Sequence, residues 1–160
     1  MIIEMRTYRL KPGSVPEAEK RFGEGLKERV RVSPLGAFFH TEVGPLNRII
    51  HCWPYEDLAH RAKVRSEKIP GWPPKIQEFI EEMESKIIIA APFSPKLEPR
   101  KLGNLYEIRT YTMLPGATPT VVDWRGGSGR PANARVLHKI DADGFYALLC
   151  ERLARLPSAG

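Results

Sequence analysis

The chain has 160 residues, 42% hydrophobic and 28% charged, with a formal net charge of +6. That length suits one domain of ordinary size plus a remnant, or two small domains, and the apolar share excludes wholesale disorder. No stretch approaches the roughly 18 apolar residues of a membrane helix, and two cysteines, Cys52 and Cys150, cannot build a disulfide framework or a four-cysteine zinc site.

The opening MIIEMRTY carries no basic segment followed by an apolar one, so a cytoplasmic location is expected. The 25 basic residues are interleaved with 19 acidic ones, which reads as a solvated surface.

Residues 2–10 predict a strand, and Pro12-Gly13 a turn. Ser14-Val15-Pro16-Glu17 predicts a helix start with Ser14 as N-cap and Glu17 three residues on. Ala18, Phe22, Leu26 and Val30 then share one helical face, while Gly23 and Gly25 each weaken the helix by about 1 kcal/mol relative to alanine. Residues 37–43 and 47–53 predict a hairpin turning at Gly44-Pro45-Leu46. Residues 57–68 predict a charged helix. Pro73 and Pro74 predict the start of another, with Ile76, Phe79, Ile80 and Met83 as its buried face. Residues 87–90 predict a short apolar strand. The order is that of an α+β, ferredoxin-like βαββαβ unit: an antiparallel sheet with helices on one face.

The opening is then written again. Glu4-Met5-Arg6-Thr7-Tyr8 returns as Glu107-Ile108-Arg109-Thr110-Tyr111, and at the same spacing Pro12-Gly13 and Pro16 match Pro115-Gly116 and Pro119. The match stops after Trp124. Residues 125–131 are rich in glycine and other breakers, and 144–156 predict a helix, with nothing repeating the first hairpin. The expected domains are therefore 1–94, a proline-rich linker at 95–104, and a truncated or diverged second repeat at 105–160.

Strand alternation places Glu4, Arg6 and Tyr8 on one side of the first strand and Ile3 and Met5 on the other. A turn centred on Pro45-Leu46 sets His40 opposite His51, Phe38 opposite Trp53 and Glu42 opposite Ile49. The economical assignment puts Glu4, Arg6, Tyr8, His40, Glu42, His51 and Trp53 on the helix-free face, where they would suit a small-molecule pocket. The plainer reading makes Arg6 a cross-sheet ion-pair partner of Glu4 or Glu42, and the histidines satisfied polar groups in a dimer interface.

Met1 to Ser94 resembles the NIPSNAP family. The residues that carry the resemblance are Glu4-Met5-Arg6-Thr7-Tyr8, Lys11-Pro12-Gly13, and the run from Phe39-His40-Thr41-Glu42 to Asn47. His51-Cys52-Trp53-Pro54-Tyr55, Arg61 and Ala91-Pro92-Phe93-Ser94 complete it. The resemblance implies ferredoxin-like units of the dimeric α/β-barrel superfamily, whose open sheet faces meet in a barrel. With the second repeat incomplete, pairing between chains is expected, giving a homodimer or higher oligomer.

Two functions follow as expectations. In the first, the barrel cavity binds a small molecule, as in a cofactor-independent monooxygenase or isomerase. Arg6 would hold an anionic substrate, and His40 or His51 would transfer a proton. Glu42 would orient a histidine or act as base, with Tyr8, Trp53 and Phe38 as aromatic wall. In the second, the chain is a noncatalytic interaction or scaffold module. His40, His51 and Glu42 are also chemically suited to a metal, but form no compact ligand motif, so none is expected. No cofactor is expected either: heme attachment through Cys-x-x-Cys-His, a phosphate-binding Walker loop, a dinucleotide fingerprint and Gly-x-Ser-x-Gly are all missing from the sequence. The strand Arg48-Ile49-Ile50-His51-Cys52-Trp53 lacks the basic and aromatic signature of an RNA-recognition domain, so no nucleic-acid partner is expected. Cys52 is expected to be buried and inert.

Overall fold

The structure, a computed structural model, describes residues 1–98, 106–120 and 122, and the backbone of two strands at 135–140 and 146–152. The expected linker at 95–104 is described only as far as 98, and the breaker-rich 125–131 and Trp124 lie outside the described residues. Two compact units emerge: Met1–Lys86 joined by Leu97, and a second that begins at Ile87.

The first unit runs β1 (Ile2–Leu10), α1 (Val15–Val32), β2 (Ala37–His40), β3 (Arg48–Tyr55), α2 (Leu58–Ser66) and β4 (Ile80–Ala90) as far as Lys86, the rest of β4 belonging to the second unit. Its strands lie in the order β2-β3-β1-β4, with β3 antiparallel to both neighbours. This is the expected βαββαβ order on an antiparallel sheet.

Gly13 takes φ +80° in the Pro12-Gly13 turn, a left-handed conformation that side chains resist. Ser14 is the residue that caps α1, but its hydroxyl bonds back to the Lys11 carbonyl at 2.6 Å and caps no helical N–H. Glu17 instead pairs with Arg21 one turn on, at 2.8 Å. The buried stripe of α1 is Ala18, Phe22, Gly25 and Arg29, rotated from the expected one. Val30 is exposed and Leu26 only partly buried. The rotation follows from Gly25, over which residues 71–74 cross: a Cβ there would lie 2.8 Å from the Gly71 carbonyl.

The hairpin closes earlier than predicted. Thr41 N–H bonds to the Arg48 carbonyl at 3.0 Å, and Arg48 N–H to the Thr41 hydroxyl at 3.1 Å. Phe38 therefore faces His51, and His40 faces Ile49; the expected His40–His51 and Phe38–Trp53 pairs do not form, and Glu42 lies in the loop. The slip is two residues, so every side chain keeps its side of the sheet. The helix expected after Pro73-Pro74 is also replaced. Only Gln77–Phe79 turns, as a 3-10 helix, and Ile80 begins β4. Pairing with β1 decides this: Lys11 N–H bonds to the Phe79 carbonyl, and Arg9 pairs with Glu81 and Glu82.

The core of this unit gathers Leu10, Ala18, Phe22, Ile49, Trp53, Tyr55, Val64 and Ile76 between sheet and helices. Fully burying side chains of this size contributes about 1.5–3 kcal/mol each.

In the second unit the strands are β5 (Glu107–Thr112), β6 (Arg135–Ile140) and β7 (Tyr146–Arg152). β7 pairs antiparallel with both β5 and β6, and β6 pairs with Ile88–Ala90. The helix predicted over 144–156 is thus a strand in its described part, and β6 and β7 are adjacent in chain and sheet, where no hairpin was expected. Gly116 repeats the φ of Gly13, at +81°. Ala91 packs with Phe93, Met113 and Val122.

Candidate functional site

Apart from Glu42, which lies in the loop, the polar and aromatic residues that alternation grouped together do share a face, but it is the helix-covered one. Phe22 of α1 packs on Phe38 and His51, with ring centroids 4.7 and 5.0 Å apart, and Arg61 of α2 reaches Glu4. Alternation fixes which residues travel together; it carries no sign for the side on which a helix lands. Ile3, Met5 and Cys52 lie on the other face.

Between the sheet and its helices lies a cavity of about 630 Å³, within the range of small-molecule sites. Arg6, Tyr8, His51 and Trp53 line it from the sheet, and Phe22 and Arg29 from α1. Trp72 adds another aromatic wall.

Glu4 organises the charges. It is fully buried and accepts from Arg61 Nε at 3.0 Å and Nη2 at 2.7 Å, from Ser85 at 2.8 Å and from Arg6 Nη1 at 3.2 Å. Arg65 approaches to 3.7 Å. Burial pushes the carboxyl pKa up, but the hydrogen bonds from Arg61 and Ser85 and the charges of Arg61 and Arg65 outweigh it and hold the group at about 2. Removing one member of such a buried network costs about 3–5 kcal/mol.

His51 is 1% exposed. The Trp53 indole N–H donates to its Nδ1 at 2.6 Å. Indole N–H only donates, so Nδ1 accepts and the ring proton sits on Nε2. Nε2 is buried and has no hydrogen-bond partner. Burial first, and Arg6 next, push the imidazole pKa down to about 3, so the ring is neutral at physiological pH. It can donate a hydrogen bond there; with Nδ1 occupied it is poorly placed to take a proton.

Arg29 is 4% exposed. It donates to the Tyr55 hydroxyl at 3.1 Å and the Ser33 carbonyl at 3.2 Å, and stacks over Trp53 at 4.2 Å. None of these partners is a carboxylate. Burial lowers its pKa, a sign of the cost of that position.

The remaining sequence-derived residues lie elsewhere. His40 sits on the surface, with Nδ1 2.7 Å from Glu19 and Nε2 2.7 Å from Glu42. Glu42 does meet a histidine, but outside the cavity. Phe38 supports the wall from behind, stacked on His51 at 6.5 Å. Cys52 is buried. Arg29 and Trp72 escaped the sequence reading, and Phe22 entered it only as part of the apolar face of α1. A signal existed: Ala18, Phe22, Gly25 and Arg29 follow helical spacing, and an arginine in an apolar stripe marks a buried charge. Among the described residues no group of three or more His, Cys, Asp or Glu could hold a metal ion, and no helix is long and apolar enough to cross a membrane.

A family model described as NIPSNAP matches residues 3–95. The chain is similar to the NipSnap homolog of Dictyostelium discoideum, 37% identical over 54% of this chain and 41% of that protein. It is 32% identical to mouse NipSnap homolog 3B over 83% of this chain and 55% of that one. The chain thus spans about half the length of these curated relatives. Among solved structures it is similar to an uncharacterized NIPSNAP domain protein from Burkholderia xenovorans, with TM-score 0.54 and 33% identity over 60% of this chain and all of that one. A NIPSNAP family protein from Agrobacterium tumefaciens gives TM-score 0.53 and 32% identity over 59% of this chain and 96% of that one.

Proposed function

We propose, from the premise that this chain belongs to the NIPSNAP family, that its first unit binds a small organic anion in the cavity between sheet and helices. One observation carries the reading: the buried guanidinium of Arg29 meets a hydroxyl, a carbonyl and a tryptophan face, and no carboxylate. Glu4 acts on Arg29 only through space; a buried charge with no carboxylate in direct contact is costly, and a bound anion supplies one. A scaffold role gives no reason for that arrangement. Any chemical step at this site would use His51 as a hydrogen-bond donor, since Nδ1 is held by Trp53. Assembly of two chains into a barrel belongs to the same proposal and rests on the family resemblance alone, since Ile3, Met5 and Cys52 on the face opposite the helices are already buried within the chain; native mass spectrometry of the intact chain tests it.

Calorimetric titration with aryl and alkyl carboxylates tests the binding. At least one acid should bind with one-to-one stoichiometry, and Arg29→Met, which keeps the length and loses the charge, should weaken it at least tenfold. No binding by any acid, or equal binding by the variant, overturns the reading.

A further inference from the structure

Arg6 in β1 and His51 in β3 are register partners. Directly opposed residues hold their Cβ atoms about 5 Å apart, so the sheet itself sets these two side chains beside each other under α1. The Tyr8 ring packs edge-on against the His51 ring at 4.9 Å, and the Arg6 guanidinium lies 5.4 Å from the Tyr8 ring centre.

Each of the pair keeps a donor uncommitted. Arg6 spends Nε on the Tyr8 hydroxyl at 2.9 Å and Nη1 on Glu4 at 3.2 Å, which leaves Nη2. His51 spends Nδ1 on Trp53 and leaves a buried Nε2–H. A buried donor left unmet costs about 1–3 kcal/mol, so the site is built for an acceptor there. The two donors differ in kind. A guanidinium matches a carboxylate; a neutral imidazole N–H matches a carbonyl oxygen, which only accepts.

We propose that Arg6 and His51 together read two oxygens on adjacent carbons of one ligand, a carboxylate at Arg6 and a 2-oxo group at His51 Nε2–H, so that the cavity takes an aryl-substituted 2-oxo acid. The aryl group is indicated by the walls, where Tyr8, Phe22, Trp53 and Trp72 offer rings rather than hydrogen bonds. Arg29 adds positive potential from α1. The assignment rests on the reading that the cavity binds an organic anion, and narrows it to one class.

The probes are benzoylformate and phenylacetate, the same aryl acid with the carbonyl replaced by a methylene. Titrated into the intact chain, benzoylformate should bind about tenfold more tightly. In protein labelled with nitrogen-15 in histidine, benzoylformate and not phenylacetate should move the Nε2–H resonance of His51, a readout that needs no variant to fold. Equal affinities overturn the proposal and leave anion binding standing. A preference for benzoylformate with the His51 resonance unmoved overturns the role of His51. Binding of neither acid overturns the proposal, and if the wider carboxylate series also fails, the anion reading falls with it.

Discussion

The Trp53 indole N–H and His51 Nδ1 are joined at 2.6 Å across two residues of one strand. Residues two apart on a strand point the same way, so this bond forms wherever the strand forms. It also fixes the tautomer of the only histidine lining the cavity among the described residues.

Trp53→Phe should release that tautomer. It removes the donor and leaves Nδ1 buried without a partner, at a cost of about 1–3 kcal/mol from that loss and more from the smaller ring. Chemical denaturation measures the cost. Nitrogen-15 spectra of the folded variant should show His51 as a mixture of neutral tautomers, where the wild type shows only protonation at Nε2. An unchanged tautomer in the variant would mean that something else holds the ring.

Acid should destabilise the first unit in two steps of the same sign. His51 has a folded pKa of about 3 against an ordinary 6.5, so below pH 6.5 the unfolded chain takes a proton that the native ring refuses. Stability from this source is complete above pH 6.5 and falls as pH drops toward 3. Glu4 has a folded pKa of about 2 against 4.5, so its contribution is present above pH 4.5 and disappears as pH falls to 2. A tenfold change in proton affinity corresponds to about 1.4 kcal/mol, so each group contributes on the order of a few kcal/mol. The urea midpoint should fall between pH 6.5 and 5, and His51→Gln should flatten that part of the curve. A wild-type midpoint constant over this interval would contradict the buried, neutral state of His51.

Two glycines in α1 should respond to alanine in opposite directions. At Gly25 the added Cβ would meet the Gly71 carbonyl at 2.8 Å and the Trp72 ring at 3.5 Å. The clash should outweigh the better helix propensity and destabilise by about 1–3 kcal/mol. At Gly23 nothing lies within 4 Å, and alanine should stabilise by about 0.5–1 kcal/mol. Melting temperatures of the two variants decide it; a stabilising Gly25→Ala would mean that the 71–74 crossing yields to a methyl group.

The strand-helix order of the first unit was legible because its strands alternate and its helix starts at a proline. The grouping of Glu4, Arg6, Tyr8, His51 and Trp53 was legible for the same reason, since alternation survives the two-residue slip at Thr41. The side of the sheet was not, because charged residues beneath a helix look like surface until their partners are known. Arg61 and Ser85, which satisfy Glu4, lie 57 and 81 residues away in the chain. The stretch after Pro74 carried helical spacing at Ile76, Phe79, Ile80 and Met83, yet pairing with β1 drew Ile80 onward into a strand. In the second unit, Phe145, Leu148 and Leu149 also fit a helix, but residues 146–152 pair on both sides. In both places an apolar run fits either period, and long-range pairing decides between them.

His40 offers the sharpest contrast with the cavity. Hydrogen bonds to Glu19 and then Glu42 raise its pKa above 6.5, so it keeps its proton more readily folded than unfolded. The resulting stability is complete below pH 6.5 and lost as pH rises through the raised folded value, opposite in sign to His51. His40 is 41% exposed, so solvent screening limits the effect to about 0.5 kcal/mol. His40→Gln should therefore shift the urea midpoint slightly at pH 6 and hardly at pH 9. It should leave carboxylate binding unchanged within about twofold, since its ring lies outside the cavity that holds His51. A tenfold loss of binding in this variant would move the site to the surface pair of His40 and Glu42, and away from the face under α1.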